Sequence, residues 1–138
     1  MDPLLELHRQ AVLAHPSSRP FWDAAGEGRL LLPRCDDCGA HHWYPRRFCP
    51  ACQGTRVRWT DSPGTGRLHA CTRLARDPDA PVVAYVELDE GPLMLSNVVG
   101  DALDALRIGD RLKAEFLALG NGLHLPVFRR VRHDGDTR

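Results

Sequence analysis

The sequence predicts a mostly β protein in which short N-terminal helices precede a small cysteine-clamped ribbon and a closed barrel of five strands. Three observations carry this expectation. Four of the five cysteines stand as two C-x-x-C pairs, Cys35/Cys38 and Cys49/Cys52. From Thr55 onward the chain breaks into short β-type runs divided by turn residues. Before Gly28 the spacing of apolar residues is helical instead.

At 138 residues the chain has room for one ordinary domain or two small modules. We read it as N-terminal helices over 1–28, a ribbon over 29–60, a barrel over 61–131 and a frayed tail over 132–138. The hydrophobic fraction is 43%, and the 11 prolines and 12 glycines are spread as punctuation, so the composition is that of a folding chain. Lysine plus arginine balance aspartate plus glutamate at 18 each. No global positive field is available to gather a polyanion, which disfavours nucleic acid. No long apolar run is present, and Asp2, Glu6 and Arg9 fall where a signal peptide would be apolar. These features predict a cytoplasmic location and no membrane association.

Asp2 is a candidate N-cap with Pro3 at the first helical position, and Leu4, Leu7, His8 and Ala11 form one stripe. A helix packed on its own protein is the plainer reading of this stripe, and a docking helix the alternative. The prolines of His15-Pro16-Ser17-Ser18-Arg19-Pro20 predict a loop. A second helix over Phe21–Gly28 would bury Phe21, Trp22 and Ala25. Leu30-Leu31-Leu32 then leads as a strand into the first cysteine pair. The later strands are expected at Arg56–Thr60, Gly66–Ala75, Val82–Leu88, Leu93–Val99, Arg111–Leu117 and Leu123–Val131. Ser62-Pro63-Gly64, Asp89-Glu90-Gly91-Pro92 and Gly120-Asn121-Gly122 are readable turns between them. A helical turn at Asp101–Leu106 sits between strands, which suits a barrel of the OB type, closed so that no sheet edge is exposed.

The two cysteine pairs are ten residues apart, enough for two tight knuckles joined by a short hairpin. An even pair of C-x-x-C motifs in a reducing compartment points to metal ligation rather than disulfides. Four thiolates complete a tetrahedral shell with no position left for water, which is a structural zinc site rather than a catalytic one. Gly39 and Gly54 let the backbone turn beneath the sulfurs. Cys35, Cys38, Cys49 and Cys52 are therefore the candidate ligands. The same set could hold iron, as in a rubredoxin-like electron carrier. His41 and His42 find the shell already filled, so a surface or packing role is expected for them.

The remaining residues offer no strong catalytic constellation. His69 and Cys71 are two apart in one strand and would share a face, but a half-buried histidine beside a small apolar cysteine is the plainer reading. Asp36, Asp37, Asp89 and Glu90 suit turns better than acid–base work. Arg34, Arg46 and Arg47 surround the ribbon and could meet coenzyme A phosphates or a partner protein; a solvated face is the plain alternative. Trp43, Tyr44, Phe48 and Trp59 lie near Arg46, Arg47, Arg56 and Arg58, a pattern of single-stranded nucleic-acid modules and equally of protein interfaces.

Several stretches taken in order resemble one family. They are Phe21-Trp22, Gly28-Arg29-Leu30-Leu31-Leu32-Pro33-Arg34-Cys35, the two knuckles, Tyr44-Pro45-Arg46, and the run from Pro81 to Pro92. Ile108-Gly109-Asp110-Arg111-Leu112 and Leu125-Pro126-Val127-Phe128-Arg129 complete the set. The order resembles the acyl-CoA-associated zinc-ribbon and OB-fold family, long catalogued as a domain of unknown function, over roughly Phe21–Val131. Gln53 departs from it, since such ribbons often carry glycine there, and Gly26 weakens the second helix.

The resemblance implies a rubredoxin-like zinc ribbon followed by a five-stranded OB-fold barrel, not catalytic alone. It implies a small, non-catalytic accessory subunit in a hetero-oligomer with a thiolase-like acyl-CoA enzyme. That enzyme would be a thiolase, a lipid-transfer-type aldolase or an acyltransferase, in acyl-CoA metabolism or steroid side-chain breakdown. A MaoC-like hydratase and acyl-CoA itself are further implied partners. A single-stranded nucleic-acid-binding OB module is the competing class.

Overall fold

The computed structural model describes residues 10, 16–73, 82–120 and 122–131. The chain divides into two compact units: residues 1–63 with 116–126, and residues 64–115 with 127–138. Each is described in turn.

In the first unit, helix α1 spans Arg19–Gly26 and is preceded by a 3-10 turn at Pro16–Ser18. The loop expected across Arg19 and Pro20 is therefore absent. Pro20 lies in the first turn of the helix, where a missing N–H is an orphan anyway and the fixed φ is already helical. The expected first helix over Asp2–Leu13 falls almost wholly outside the described residues. Beyond Gly26 the Glu27 and Arg29 amides both return to the Ala24 carbonyl and that of Gly28 to Ala25. Gly28 takes φ +76°, the left-handed stop that glycine accepts without strain.

Strand β1, Leu30–Cys35, pairs antiparallel with β2, Val57–Ser62, so that Cys35 stands opposite Val57 and Leu30 opposite Ser62. Leu30, Leu31 and Leu32 are all buried, which marks a strand covered on both faces rather than one alternating between core and water. Phe21 is buried with its ring 4.6 Å from that of Trp43 and 5.2 Å from that of Trp22. Burial of one such ring stabilises by about 1.5–3 kcal/mol. The hairpin expected between the knuckles does not form. Among the described residues, an isolated bridge between Arg34 and His41 is the β pairing there. The strands flanking the knuckles pair instead, because Pro45 and Pro50 remove backbone donors from the intervening loop.

The second unit carries most of a closed barrel in the order β3-β4-β5-β7-β6. The strands are β3 Thr65–Thr72, β4 Val82–Leu88, β5 Leu93–Val99, β6 Arg111–Gly120 and β7 Leu123–Arg130. Residues 116–126, the far ends of β6 and β7, belong to the first unit. The first barrel strand pairs with both the second and the fourth, and β5 pairs parallel with β7 at Val98↔Phe128. This is the five-stranded OB barrel expected from the sequence. Perfect alternation along β4 sends Val82, Ala84, Val86 and Leu88 inward and Val83, Tyr85 and Glu87 outward. Leu68, Met94, Val98, Leu112 and Phe128 complete the interior.

The β3 register shifts between Leu68 and Ala70, leaving His69 as the extra residue of a bulge. His69 and Cys71 are both exposed, so the half-buried pair expected from two-residue spacing is not realised; the bulge interrupts the alternation on which that expectation rests. Around the β4–β5 turn, Arg111 clasps Asp89 with both guanidinium nitrogens, at 2.8 and 2.9 Å. That clasp, helped by the Thr65 hydroxyl, holds the Asp89 carboxyl down to about 2.

Gly66 faces Leu88 where β3 is paired on both sides, and a Cβ there would strike the Glu87 carbonyl. Gly66→Ala should destabilise the chain by about 1–3 kcal/mol in urea unfolding; an unchanged midpoint would show that the strands yield at this seam. The depressed Asp89 carboxyl stabilises the fold above its ordinary value of 3.8 and stops doing so as pH falls toward about 2. The melting-temperature difference between the wild type and Asp89→Asn should therefore be constant above pH ~4 and vanish across this window.

Candidate metal centre

The two knuckles are built alike. In each, the amide four residues past the first cysteine donates to that cysteine's carbonyl: Gly39 to Cys35 at 2.8 Å and Gln53 to Cys49 at 2.7 Å. In each, the first cysteine's own amide reaches the carbonyl five residues on: Cys35 to Ala40 at 2.9 Å and Cys49 to Gly54 at 2.8 Å. The fifth residue of each turn is left-handed, Gly39 at φ +78° and Gln53 at φ +65°. The repeat C-x-x-C-[left-handed] thus folds twice by local chemistry, and Gln53 occupies a glycine position with a side chain. Gly54 has a separate reason to be glycine, since a Cβ there would strike the Asp37 carboxylate.

The four sulfurs lie within 4.8 Å of one another, with Cys35–Cys52 at 3.6 Å and Cys38–Cys49 at 3.7 Å. Sulfurs at tetrahedral positions around zinc are about 3.8 Å apart at the usual zinc–sulfur length, so the donor set fits such an ion. Backbone donors point at the sulfurs, Ala51 to Cys49 at 3.3 Å and Gly54 to Cys52 at 3.4 Å, as amides do around metal thiolates. The amide of Cys52, followed by that of Ala51, draws the Cys49 thiol down to about 7. Although the Gly54 amide favours the Cys52 thiolate, the neighbouring sulfurs push that thiol up to about 12. Four thiolates cannot share this space by themselves, and a divalent cation held here would supply the missing positive charge. Cys35 and Cys49 are buried, Cys38 and Cys52 exposed, so the centre sits at the surface with one ligand of each knuckle inward.

The aspartates between the first two cysteines are tied to β2. Arg58 Nε meets Asp36 at 2.6 Å and Arg56 Nε meets Asp37 at 2.8 Å, and the Arg58 contact holds the Asp36 carboxyl below its ordinary value. They act as struts between knuckle and strand. His42 takes the packing role expected of it: it is buried, its amide donates to the Pro33 carbonyl, and neither ring nitrogen finds a partner among the described residues. Burial first, then the charge of Arg46 and nearby His41, keeps this imidazole below its usual pKa.

Arg46, Arg47 and Arg58 line one cleft with Ser17, Pro33, Pro45, Val57 and Trp59, of about 100 Å³. Arg34 stands opposite Arg58 on the β1–β2 ladder. Arg34, Arg46 and Arg47 make no ion pair among the described residues, and Tyr44 and Phe48 expose their rings nearby. The arginine–aromatic grouping read from the sequence places Arg58 and Trp59 with Arg46 and Arg47, and the cleft holds these four together; sequence reasoning missed Ser17, since only the fold brings it beside Arg46.

Comparison with known proteins follows the same division. A family model described as a ChsH2 rubredoxin-like zinc ribbon domain matches residues 22–58, and one described as a ChsH2 C-terminal OB-fold domain matches residues 59–117. The chain is 35% identical over 116 residues to a probable enoyl-CoA hydratase alpha subunit of Thermomonospora curvata, covering 79% of this chain and 36% of that protein. It thus spans about a third of that relative's length. It is 31% identical over 114 residues to a DUF35 domain-containing scaffold protein of Methanothermobacter thermautotrophicus, covering 78% of this chain and 77% of that one. The solved structure of an Ltp2-ChsH2(DUF35) aldolase superposes with a TM-score of 0.72 at 30% identity, over 82% of this chain and 93% of its counterpart. A Sulfolobus solfataricus DUF35 protein of unknown function shares the fold at 15% identity, with a TM-score of 0.62 over 93% of both chains.

Fold and site together define a class: small proteins in which a four-cysteine ribbon is joined to an OB barrel. This chain belongs to the DUF35 family within it.

The left-handed Gln53 carries strain of about 1–2 kcal/mol that glycine would not. Gln53→Gly should raise the stability of the metal-loaded chain by up to about 1 kcal/mol, the gain being trimmed by glycine's looser unfolded state. Thermal unfolding reads it, and a lower midpoint would mean that the Gln53 side chain makes a stabilising contact.

Proposed function

We propose that this chain is a non-catalytic accessory subunit that scaffolds a thiolase-like acyl-CoA enzyme, with a structural zinc ion held by Cys35, Cys38, Cys49 and Cys52. The observation that carries the reading is the likeness to the DUF35 chain of the Ltp2-ChsH2 aldolase, which extends over 93% of that chain. The scaffold name of the Methanothermobacter relative and the hydratase name of the Thermomonospora one point the same way. The bound ion would cross-link the two knuckles and supply stability that so small a ribbon lacks. No open ligand position would remain for substrate, so the chemistry belongs to the partner.

In this reading the partner is a thiolase, lipid-transfer-type aldolase or acyltransferase, and a MaoC-like hydratase is a further candidate. Arg34, Arg46 and Arg47 are the residues for contact with that partner or with coenzyme A phosphates. Two of them, Arg46 and Arg47, flank a cleft with an apolar wall and make no ion pair among the described residues, and guanidinium groups suit both carboxylate and phosphate.

Purification through a tag on this chain, after co-expression with a thiolase-like or hydratase-like enzyme encoded beside it, tests the proposal. A complex whose thioester chemistry needs both chains, and about one zinc per chain by elemental analysis, is the expected result. Cys49→Ser should lose the metal and at least tenfold of the complex yield. An enzyme fully active and stable without this chain would sink the scaffold reading, and salt-dependent retention of single-stranded nucleic acid would replace it.

A further inference from the structure

Four large apolar side chains stand exposed on two neighbouring strands of the second unit: Val83 (39%) and Tyr85 (46%) on β4, Leu93 (39%) and Leu95 (56%) on β5. They occupy outward positions of the alternation, and Tyr85 stands directly opposite Leu95 in the ladder. On the other side, Ala70 of β3 faces Tyr85 and Thr72 faces Val83, both exposed and both small. The result is a sheet face whose centre, Tyr85 flanked by Leu95 and Ala70, is uncharged, while Asn97 stands opposite Val83 at one end and Glu87 opposite Leu93 at the other. Arg67 and Glu87, opposite each other at one end, bring the charge there to zero.

These are the first three strands of the barrel, and the second and third of an OB barrel form the face on which such folds commonly take oligonucleotides or oligosaccharides. Here β4 and β5 carry no lysine or arginine. A phosphodiester chain needs several cations beside its stacking rings, and Arg67 of β3, at the end of this face, stands opposite Glu87, so this occupant is disfavoured. The barrel is closed, which leaves no free edge of β4 or β5 for an added strand. Whatever covers the face must pack side chain against side chain. The exposed apolar area is on the order of 350 Å², the size of the largest, often functional, patch on a monomer. A second copy of this chain apposed through this face alone would bury far less than the roughly 800 Å² per partner of a stable interface. The occupant is therefore a larger protein surface that covers this patch as one part of a wider contact.

We propose that the outward face of β3, β4 and β5, centred on Tyr85 and Leu95, docks an uncharged apolar patch of the acyl-CoA enzyme subunit. This rests on the accessory-subunit reading and gives it a specific surface, with Tyr85 as the aromatic anchor.

The test replaces the central pair without disturbing the barrel. Tyr85→Glu with Leu95→Lys puts an opposite-charge pair at facing positions, which supports the strand pairing while abolishing the apolar patch. The full-length chain is co-expressed with the enzyme, and complex formation is measured by co-elution and titration, beside zinc content and melting temperature. The expected result is at least a 100-fold loss of affinity with zinc content unchanged, while Tyr85→Phe with Leu95→Met binds like the wild type. Leu95→Gln, a milder change, should weaken binding about tenfold and decides the matter if the charged pair does not fold. A charged or Gln variant that co-elutes like the wild type overturns this surface and leaves the accessory-subunit reading standing. A wild-type chain that binds no enzyme overturns both. A wild-type dimer in sedimentation that the charged pair dissociates assigns the face to a second copy and overturns the proposal as well.

Discussion

The crowding of four sulfurs within 4.8 Å of one another is the constraint on which the first unit depends. Thiolates so close repel: backbone amides draw the Cys49 thiol down to about 7, while, against the Gly54 amide, the neighbouring sulfurs push the Cys52 thiol up to about 12. An ion at their centre turns repulsion into a cross-link spanning residues 35–52. Everything around the sulfurs is arranged to keep them there: paired carbonyl and amide contacts within each knuckle, two left-handed turns, and two arginine struts, Arg58 of β2 and Arg56 just before it, to the aspartates of the first knuckle.

From that clamp the division of labour between the two units becomes intelligible. The first unit has few long strands and relies on Phe21, Trp43 and the doubly covered Leu30–Leu32 for its apolar core. The second has the ordinary means of a β barrel, an alternating interior with a closed perimeter. Arg34, Arg46 and Arg47, which make no ion pair among the described residues, gather on the first, while Val83, Tyr85, Leu93 and Leu95 stand exposed on the second. A chain with a formal net charge of zero therefore presents two chemically distinct surfaces.

Much of this was legible in the residues because the relevant physics is local. The cysteine spacing specified the ligand set as a candidate, and short β-type runs bounded by turn residues placed β4 and β5 at Val82–Leu88 and Leu93–Val99, the bounds the fold has. What was not legible depends on partners distant in sequence. Pro20 reads as a helix breaker until its place in the first turn is known. The bulge at His69 has no turn residue to announce it and arises where β3, paired on both sides up to Arg67, goes on paired with β4 alone. The struts Arg58–Asp36 and Arg56–Asp37 join residues 22 and 19 apart, and only the register of β2 against β1 brings them together. The sequence grouped Arg58 with Arg46 and Arg47, but that Ser17 joins their cleft follows only from the fold.

The return of residues 116–126 to the first unit bears on how the molecule is made. A ribosome that has delivered residues 1–63 has supplied both cysteine pairs and both ribbon strands, but not the segment that finishes the unit they belong to. The metal clamp can close early, whereas the first unit waits for the whole barrel sequence to emerge. Neither unit is a contiguous stretch of chain, so the boundary between the two family models at residues 58 and 59 is a seam in the sequence, not a line along which the protein could be cut into two self-sufficient halves.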